Sequence, residues 1–303
     1  MSITSCRSSE HLLGLCALLN SHIAAIAPGW AVTPDFVHER LGDNPDQPVL
    51  NPWVIERATF CAVERGIVVA AVHLLRYGKG PEVSTDYHDI AEIAWSIHSP
   101  DHHAAGVAVL HRACELMRAW GVRERVASFD LAGIINGVPD RWPHVAAALR
   151  DAGFQPAVGE GSRDELRHGP IPAVTPDPQP PLPGLRIRER TGDKDTRLAA
   201  LHGDREVGYC ESRHDLTRDA SLPALAQWAE VSDLWVAEAW RGRGIGTWLL
   251  THTCAALAAR GRTRVVLLAE DDDQGRPGHL YDRFGWPVAA TYDKLWREVT
   301  AEA

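Results

Sequence analysis

The residues with the clearest chemical capacity form a glycine-rich turn between a predicted strand and a predicted helix. Gly242, Gly244 and Gly246 stand at alternate positions, and Arg241 and Arg243 precede the first two of them. Glycine lets the backbone approach a ligand closely, and the first N–H groups of a helix have no partner within the helix. The helix dipole and the two guanidinium groups add positive charge at the same point. The turn therefore predicts a binding site for a phosphate or pyrophosphate group.

Two common phosphate-binding loops do not fit these residues. No lysine followed by serine or threonine comes after the glycines, and Thr247 stands where a dinucleotide fingerprint requires its third glycine. A glycine-rich turn with exposed arginines and no ligand is the alternative interpretation, so the surrounding residues decide between the two.

The sequence around this turn resembles the GNAT superfamily of acyl-CoA N-acyltransferases. The resemblance rests on three stretches within residues 185–293: the strand Ser232-Asp-Leu-Trp-Val236, the loop Arg241-x-x-Gly244-x-Gly246, and the segment Leu280-Tyr281-Asp-Arg-Phe-Gly285-Trp286. In that family the loop binds the pyrophosphate of coenzyme A. The resemblance implies the same role here for Arg241, Gly242, Arg243, Gly244, Ile245 and Gly246.

The resemblance also implies roles for residues on either side of the loop. The family separates the strand before the loop from the strand after its helix, and pantetheine passes through the gap. Leu234, Trp235 and Val236 would then hold the acetyl-thioester. Tyr281 occupies the place of the tyrosine that protonates the departing thiolate, and Gln274, where the family commonly has asparagine, is a further candidate contact to the coenzyme.

Two carboxylates before the loop are candidates for the catalytic base. An alkyl amine is protonated at neutral pH, so its attack on a thioester requires a proton acceptor, directly or through water. Glu230 and Asp233 lie on opposite faces of a regular strand, so both face the substrate only if a bulge intervenes. We favour Glu230, because similar members of the family often carry a glutamate near this position. Asp233 and a chain of water molecules are the alternatives.

A proline-rich run divides the chain into two halves. Seven of the 20 prolines lie between residues 170 and 183, and such a run favours an extended, semi-rigid spacer over a helix or a sheet. The predicted organisation is a first domain over residues 1–168, a linker over residues 169–184, and a second, catalytic domain over residues 185–303.

Hydrophobic periodicity and turn residues predict the element order ααβββαβα before the linker and ββββαβα after it. In the first half, helices are predicted over residues 9–27, 34–41, 105–120 and 142–152, and strands over residues 57–64, 67–75, 90–96 and 125–129. In the second half, strands are predicted over residues 185–189, 197–201, 207–211, 230–236 and 264–268, and helices over residues 246–259 and 279–284. Both halves end with a strand, a helix, a strand and a short helix. This shared order is a degenerate internal repeat. With the resemblance, this predicts an α/β (α+β) fold of two GNAT-like domains, each a mixed, mostly antiparallel sheet flanked by helices.

The first half is the degenerate copy of this repeat. When its Gly106 is aligned with the loop glycine, His103 stands opposite Arg241, and Leu149 stands opposite Tyr281. Leucine cannot donate a proton, so we expect the first half to bind coenzyme A weakly and not to catalyse by the same route.

A group of histidines in the first half suggests a metal site at first sight. His98, His102 and His103 are close in sequence, with His88 nearby, but their spacing matches no common zinc pattern and no cysteine is near. We therefore predict no metal site, and a solvated histidine-rich turn is the preferred interpretation.

Composition excludes several classes of function. Forty acidic residues against 31 basic ones give a net charge of −9, which argues against a nucleic-acid partner. The six cysteines are widely spaced without a Cys-x-x-Cys pair, and the chain has neither a leader-like N-terminus nor an apolar run of about 18 residues. We expect a cytoplasmic protein with reduced thiols that does not associate with a membrane.

The resemblance to the GNAT superfamily implies an N-acetyltransferase that uses acetyl-CoA as co-substrate. The acceptor would be a primary amine of a small molecule, attacking directly in a ternary complex without an acyl-enzyme. The alternative is a non-catalytic acyl-CoA-binding regulatory or scaffold protein, which needs the loop but no proton donor at Tyr281. The identity of the amine and the acyl-chain preference stay open.

Overall fold

The computed structural model describes the chain except residues 7, 43–48, 132–133, 160–161, 175–177, 218–221, 271–275 and 300–303. The chain forms two compact units. The first unit comprises Met1–Asp164 together with Ala290–Ala303, and the second comprises Glu165–Ala289. Among the described residues, no helix is both long enough and apolar enough to cross a membrane.

The predicted helices and strands are present, and short strands add to them. Up to residue 156 the elements are β1 (Ser2–Ser5), α1 (Ser9–Ile26), α2 (Pro34–Leu41), β2 (Val54–Glu64), β3 (Ile67–Tyr77), β4 (Ile90–His98), α3 (His103–Ala119), β5 (Glu124–Ala127), β6 (Asp130–Leu131), β7 (Ile135–Asn136), β8 (Val138–Pro139), α4 (Pro143–Asp151) and β9 (Phe154–Pro156). From residue 163 they are β10 (Arg163–Pro170), β11 (Leu185–Thr191), β12 (Asp195–His202), β13 (Arg205–Arg213), β14 (Trp228–Val236), α5 (Ile245–Ala259), β15 (Arg264–Glu270), α6 (Arg276–Arg283), β16 (Val288–Asp293) and β17 (Trp296–Glu298).

The first unit contains a sheet in the order β1-β2-β3-β4-β5-β17-β9. Its pairs are antiparallel except for β4 with β5, which run parallel. Local signals fix the helices that flank it. The Ser8 side chain caps α1 by accepting from the His11 amide, and Thr33 caps α2 by accepting from the Phe36 amide, directly before Pro34.

The second unit contains strands in the order β11-β12-β13-β14-β15-β10, in which β11 to β14 pair antiparallel and β14 runs parallel to β15. The apolar face of α5 packs on this sheet through buried residues that include Leu249, Leu250 and Leu257. β12 begins four positions after the end of β11. The second unit therefore has no counterpart of α1 and α2 between β11 and β12.

Strands from the two halves of the sequence are exchanged between the units. β17, at residues 296–298, lies between β5 and β9 in the first unit, where Trp296 pairs with Ala127 and Pro156. β10, which precedes the proline-rich run, lies beside β15 in the second unit. The bounds of the compact units therefore differ from the predicted domain bounds at residues 168 and 185. The sequence did not reveal the two strands, because β17 is too short to give a strand pattern and proline-rich sequence follows β10 directly.

Removing the Trp296 side chain should destabilise the first unit. Trp296 is fully buried, and replacing a buried aromatic residue by alanine costs about 3–5 kcal/mol. Hydrogen exchange of Trp296→Ala should show lost protection in β5 and β9, while β12 and β13 stay protected. The control is Trp235→Ala, at a tryptophan that is 40% exposed. Loss of protection in β12 and β13 with β5 unchanged would assign residue 296 to the stability of the second unit instead.

Candidate functional site

The loop after β14 has the backbone conformation that an anion site requires. β14 ends at Val236, a short turn at Glu238–Trp240 follows, and α5 begins at Ile245. Gly242 and Gly244 have φ values of +71° and +82°, in the left-handed region that residues with a Cβ rarely adopt. Gly244 precedes α5 without a side-chain cap. The first amides of α5 thus have no partner within the helix and are available to an anion.

The two arginines of the loop differ in their contacts. The Arg241 Nε donates to the Val236 carbonyl oxygen at 2.9 Å, which ties the start of the loop to the end of β14. The Arg243 guanidinium carbon lies 5.6 Å from the centre of the Trp240 ring. Residues 241–244 are exposed. Two positive charges and the amide end of a helix therefore meet at one accessible place, which can bind a phosphate or pyrophosphate group.

Part of the proline-rich run lies against this loop. The Pro178 carbonyl oxygen accepts a hydrogen bond from Trp248 Nε1 at 2.9 Å. A Cβ built on Gly244 would lie 3.2 Å from the Pro181 Cβ, so the two residues are in contact. Leu182 packs against the core beside α5. This part of the run belongs to the second unit, and any substitution at Gly244 would strain both the proline contact and the left-handed backbone.

β14 parts from β15 before it reaches the loop. Their parallel pairing covers only residues 228–230 of β14, opposite residues 264–266 of β15, whereas the two strands continue to Val236 and Glu270. Beyond residue 230, no described residue of β15 pairs with β14, and an extended ligand can add to such a strand edge. The resemblance to the GNAT superfamily implies a gap of this kind, through which pantetheine would pass.

A bulge at Ser232 sets the side-chain directions on β14. Ser212 of β13 pairs with Val231, whereas the neighbouring Glu211 pairs with Asp233. Ser232 is therefore the extra residue, and the alternation of side chains changes phase there.

The bulge brings the two candidate carboxylates to the same face of the sheet. Leu234 and Val236 pack against the core beside α5, so Trp235 points to the opposite face, where it is 40% exposed. Glu230, before the bulge, and Asp233, after it, share that opposite face. Of the three residues predicted to hold the thioester, Trp235 therefore differs from Leu234 and Val236 in the direction of its side chain.

The two carboxylates have different partners. Glu230 Oε2 lies 3.1 Å from Arg213 Nη1 and forms an ion pair with it. Asp233 Oδ2 accepts a hydrogen bond of 2.7 Å from the Tyr209 hydroxyl, and the Tyr209 ring stacks on Trp235 with 5.7 Å between centroids. Both carboxylates are oriented by neighbours and can accept a proton from a substrate on this face.

Tyr281 lies on α6 and is buried, with its ring stacked on Trp286 at 6.4 Å between centroids. Burial raises the pKa of Tyr281 to about 12, with the charges of Cys210 and Asp233 acting in the same direction and that of Arg167 opposing them. The hydroxyl is therefore protonated at neutral pH, which is the state that a proton donor needs.

Sequence reasoning missed Arg167, which holds the surroundings of Tyr281 in place. The Arg167 Nη1 donates to Asp282 Oδ1 at 2.7 Å and to the Trp286 carbonyl oxygen at 3.1 Å, and Nε donates to Glu165 at 2.7 Å. Its guanidinium carbon lies 5.9 Å from the centre of the Tyr281 ring. The residue lies in β10, and an arginine near acidic residues before a proline run is too common a pattern to identify such a role.

Three further residues were predicted to contact the coenzyme: Ile245, Gly246 and Gln274. Ile245 is buried in the core, so only its backbone amide can face an anion. A Cβ on Gly246 would meet Leu280 Cδ2 at 3.5 Å, an ordinary contact, so close packing does not require glycine there. Gln274 lies outside the described residues.

The first unit lacks the loop because its helix begins earlier. α3 starts at His103, so Gly106 lies inside the helix. A Cβ on Gly106 would lie 2.5 Å from His98 Nδ1, so packing against this imidazole requires the glycine. His103 Nε2 lies 2.8 Å from Asp151 Oδ2, and Leu149 is fully buried. The first unit therefore has neither the anion loop nor the tyrosine.

The interpretation of the histidines as a solvated turn is wrong for His98. This residue is 1% exposed, and its ring lies 4.9 Å from that of His144, whose Nε2 is 3.1 Å from His22 Nε2. Burial and the neighbouring histidines lower the pKa of His98 to about 3. Within the part of the chain that the structure describes, no three His, Cys, Asp or Glu side chains are arranged to hold a metal ion.

The first unit does retain a counterpart of one carboxylate. With the two loop glycines aligned, Glu92 of β4 corresponds to Glu230, and β4 has a bulge at the corresponding place, between Ile93 and Trp95. Glu92 lines a cavity of about 410 Å³. Sequence reasoning missed it, although the repeat contained the signal: an Ala-Glu pair before a β-branched residue occurs on both strands.

Comparison with known proteins supports the same architecture. Residues 194–287 match the family model described as an acetyltransferase (GNAT) domain. The chain is similar to a tandem GNAT protein from the clavulanic acid biosynthesis pathway, with 13% identity, a TM-score of 0.64 and 99% of both chains covered. It is also similar to a GCN5-related N-acetyltransferase from Sphaerobacter thermophilus, with 14% identity, a TM-score of 0.63, and coverage of 99% of this chain and 98% of that one. No curated protein sequence matches.

A further similar structure is a GCN5-related glucosamine N-acetyltransferase region of a fungal multi-domain GH3 beta-N-acetylglucosaminidase. The identity is 15% and the TM-score 0.62, with 98% of this chain and 38% of that chain covered. These similarities confirm the predicted fold: the chain has a tandem GNAT fold, built from two mixed sheets flanked by helices.

Arg243 should contribute to anion binding in the second unit. The side chain is exposed and makes no backbone tie like that of Arg241, so Arg243→Ala removes charge without releasing the loop. We expect coenzyme A affinity to fall about tenfold, in the range of a charge-assisted hydrogen bond. The matched control is His103→Ala, at the aligned position of the first unit. Calorimetry at low salt measures both, and a larger loss in the control would move the anion site to the first unit.

Proposed function

We propose that the second unit is an acetyl-CoA-dependent N-acetyltransferase acting on a primary amine of a small molecule. Residues 241–246 would bind the pyrophosphate of acetyl-CoA, and the amine would attack directly in a ternary complex. One observation carries the proposal: β14 leaves β15 and runs into a glycine loop with two exposed arginines, in the unit that contains buried Tyr281. The match of residues 194–287 to an acetyltransferase (GNAT) domain supports acyl transfer as the class of reaction.

Glu230 is the proposed base. A protonated amine on the open face of β14 gives its proton to this carboxylate, and the nitrogen lone pair then forms the C–N bond. The ion pair with Arg213 keeps Glu230 oriented on that face. Asp233 shares the face and is the second candidate.

Backbone and tyrosine complete the reaction. An N–H of β14 near Val236, on the edge that β15 leaves unpaired, stabilises the negative charge on the thioester oxygen as the amine attacks. When the C–S bond breaks, Tyr281 donates its proton to the departing thiolate, and the second proton that the nitrogen loses as the amide forms restores the tyrosine hydroxyl through solvent. The raised pKa of Tyr281 keeps that proton in place until the thiolate forms.

The alternative is a non-catalytic acyl-CoA-binding regulatory or scaffold protein. It would use the same loop but would have no need for a protonated tyrosine or for two oriented carboxylates. Incubation of the protein with acetyl-CoA and a panel of primary amines, followed by thiol release, separates the two functions. Coenzyme binding without thiol release for every amine would favour the alternative. All described cysteines are free, which supports our further proposal of a cytoplasmic location.

Tyr281→Phe should lower kcat and leave coenzyme binding intact. The substitution keeps the stacking on Trp286 and removes one hydroxyl, so kcat should fall by roughly 10²–10⁴-fold with little change in the KM for acetyl-CoA. Because the pKa of Tyr281 is raised to about 12, its ionisation should not reduce wild-type kcat between about pH 7 and 10. A variant with wild-type kcat would make Tyr281 a core aromatic residue only.

Glu230→Gln should impair turnover most at neutral pH, where the amine is protonated. At higher pH a larger fraction of the amine is already neutral, so the deficit should shrink. Asp233→Asn is the matched control, since the amide oxygen can still accept from Tyr209 and the charge alone is lost. Pre-steady-state thiol release at a series of pH values measures both. A larger, pH-dependent deficit in Asp233→Asn would assign the base to Asp233.

A further inference from the structure

We propose that the first unit binds a small organic ammonium ion in the cavity that Glu92 lines. This site is separate from the acyl transfer proposed for the second unit and does not depend on it. The cavity volume, about 410 Å³, lies within the range of roughly 300–1,000 Å³ that is usual for small-molecule sites.

Glu92 is a buried carboxylate held only by neutral donors. It accepts a hydrogen bond of 2.5 Å from the Tyr77 hydroxyl and another from the Ser128 hydroxyl. Burial raises the pKa of Glu92, the two hydroxyls oppose this, and the nearby charge of Asp130 raises it further. Among the described residues, no cationic side chain contributes. A buried carboxylate without a counter-charge is a costly arrangement, and a cation in the cavity would relieve that cost.

The positive groups of the cavity are engaged elsewhere. Arg297 pairs with Glu124, and the Arg57 Nη2 donates to Asn51 Oδ1 at 2.6 Å. Arg40 lies near the charge of Asp130. Glu92 is thus a buried carboxylate of the lining that a cationic ligand can approach without breaking an ion pair.

His73 also lines the cavity, and it carries no charge at neutral pH. Full burial and the charge of Arg57 lower the pKa of His73 to about 3. The imidazole therefore neither repels a cation nor neutralises Glu92.

Aromatic rings form part of the wall around this carboxylate. Tyr77 and Tyr87 line the cavity and meet edge to face, with 4.9 Å between centroids, and Trp95 lines it as well. The faces of tyrosine and tryptophan attract ammonium groups by cation–π interaction. An acid at the wall with aromatic neighbours selects a protonated amine that carries an apolar or aromatic body.

The same unit lacks the parts that would acetylate such a ligand. Its helix begins at His103 without a left-handed glycine turn, and Leu149 stands where the second unit has Tyr281. Glu92 thus occupies the strand position of the proposed base Glu230, but the first unit would bind the ligand there without acetylating it.

Calorimetry on the full chain without acetyl-CoA tests the site with three probes of similar shape: benzylamine, benzyl alcohol and benzoate. We expect benzylamine to bind at least tenfold more tightly than benzyl alcohol, and benzoate to bind most weakly. Because burial raises the pKa of Glu92 and a cation favours its ionised form, benzylamine affinity should rise with increasing pH while the amine stays protonated, with a proton released on binding.

Glu92→Gln should weaken benzylamine binding at least tenfold, since the amide keeps the acceptor for Tyr77 and Ser128 but loses the charge. Glu64→Gln, on the same sheet and outside the cavity lining, is the control and should bind as the wild type does. Ala94→Leu, which fills the cavity, is a second variant and should abolish binding while coenzyme A affinity is retained. Wild-type benzylamine affinity in Glu92→Gln, or equal affinity for the amine and the alcohol, would overturn the proposal.

Discussion

The candidate site of the second unit depends on one constraint: β14 pairs with β15 over only three residues and then leaves it. A strand that loses its neighbour keeps its backbone donors and acceptors, and these must be satisfied by something other than the sheet. The bulge at Ser232 lies within this freed segment and turns both carboxylates to one face. The left-handed glycines then direct the chain into α5, so the amide end of the helix comes directly after the open strand edge. Strand edge, carboxylates and anion loop follow from a single departure from regular pairing.

The two units share this departure and differ at the start of the next helix. β4 also pairs with its parallel neighbour over a few residues and has a bulge at the corresponding position. α3, however, begins four aligned positions earlier than α5, so one additional turn of helix replaces the glycine loop. The glycine survives in both units for different reasons. Gly244 is in a left-handed turn, whereas Gly106 makes room for a buried imidazole.

What could be predicted from the sequence were the parts with local causes. The positions of the helices followed from hydrophobic periodicity and turn residues, and the turn before α5 followed from its glycines. The missed features depend on residues distant in sequence. The bulge at Ser232 is set by pairing with β13, Arg167 acts through a strand that the adjoining prolines concealed, and His98 is buried by partners on α1 and α4. Glu92 was the exception, because comparing the two halves strand by strand would have identified it.

The exchange of strands between the halves has a consequence for synthesis on the ribosome. β5 and β9 are complete once residue 156 has left the exit tunnel, but the strand that belongs between them, residues 296–298, is made about 140 residues later. At a typical rate of about 5–20 residues per second, the first unit waits roughly 7–28 seconds with two open strand edges. The second unit receives β10 before its other strands are made, so β10 is available as soon as β15 emerges.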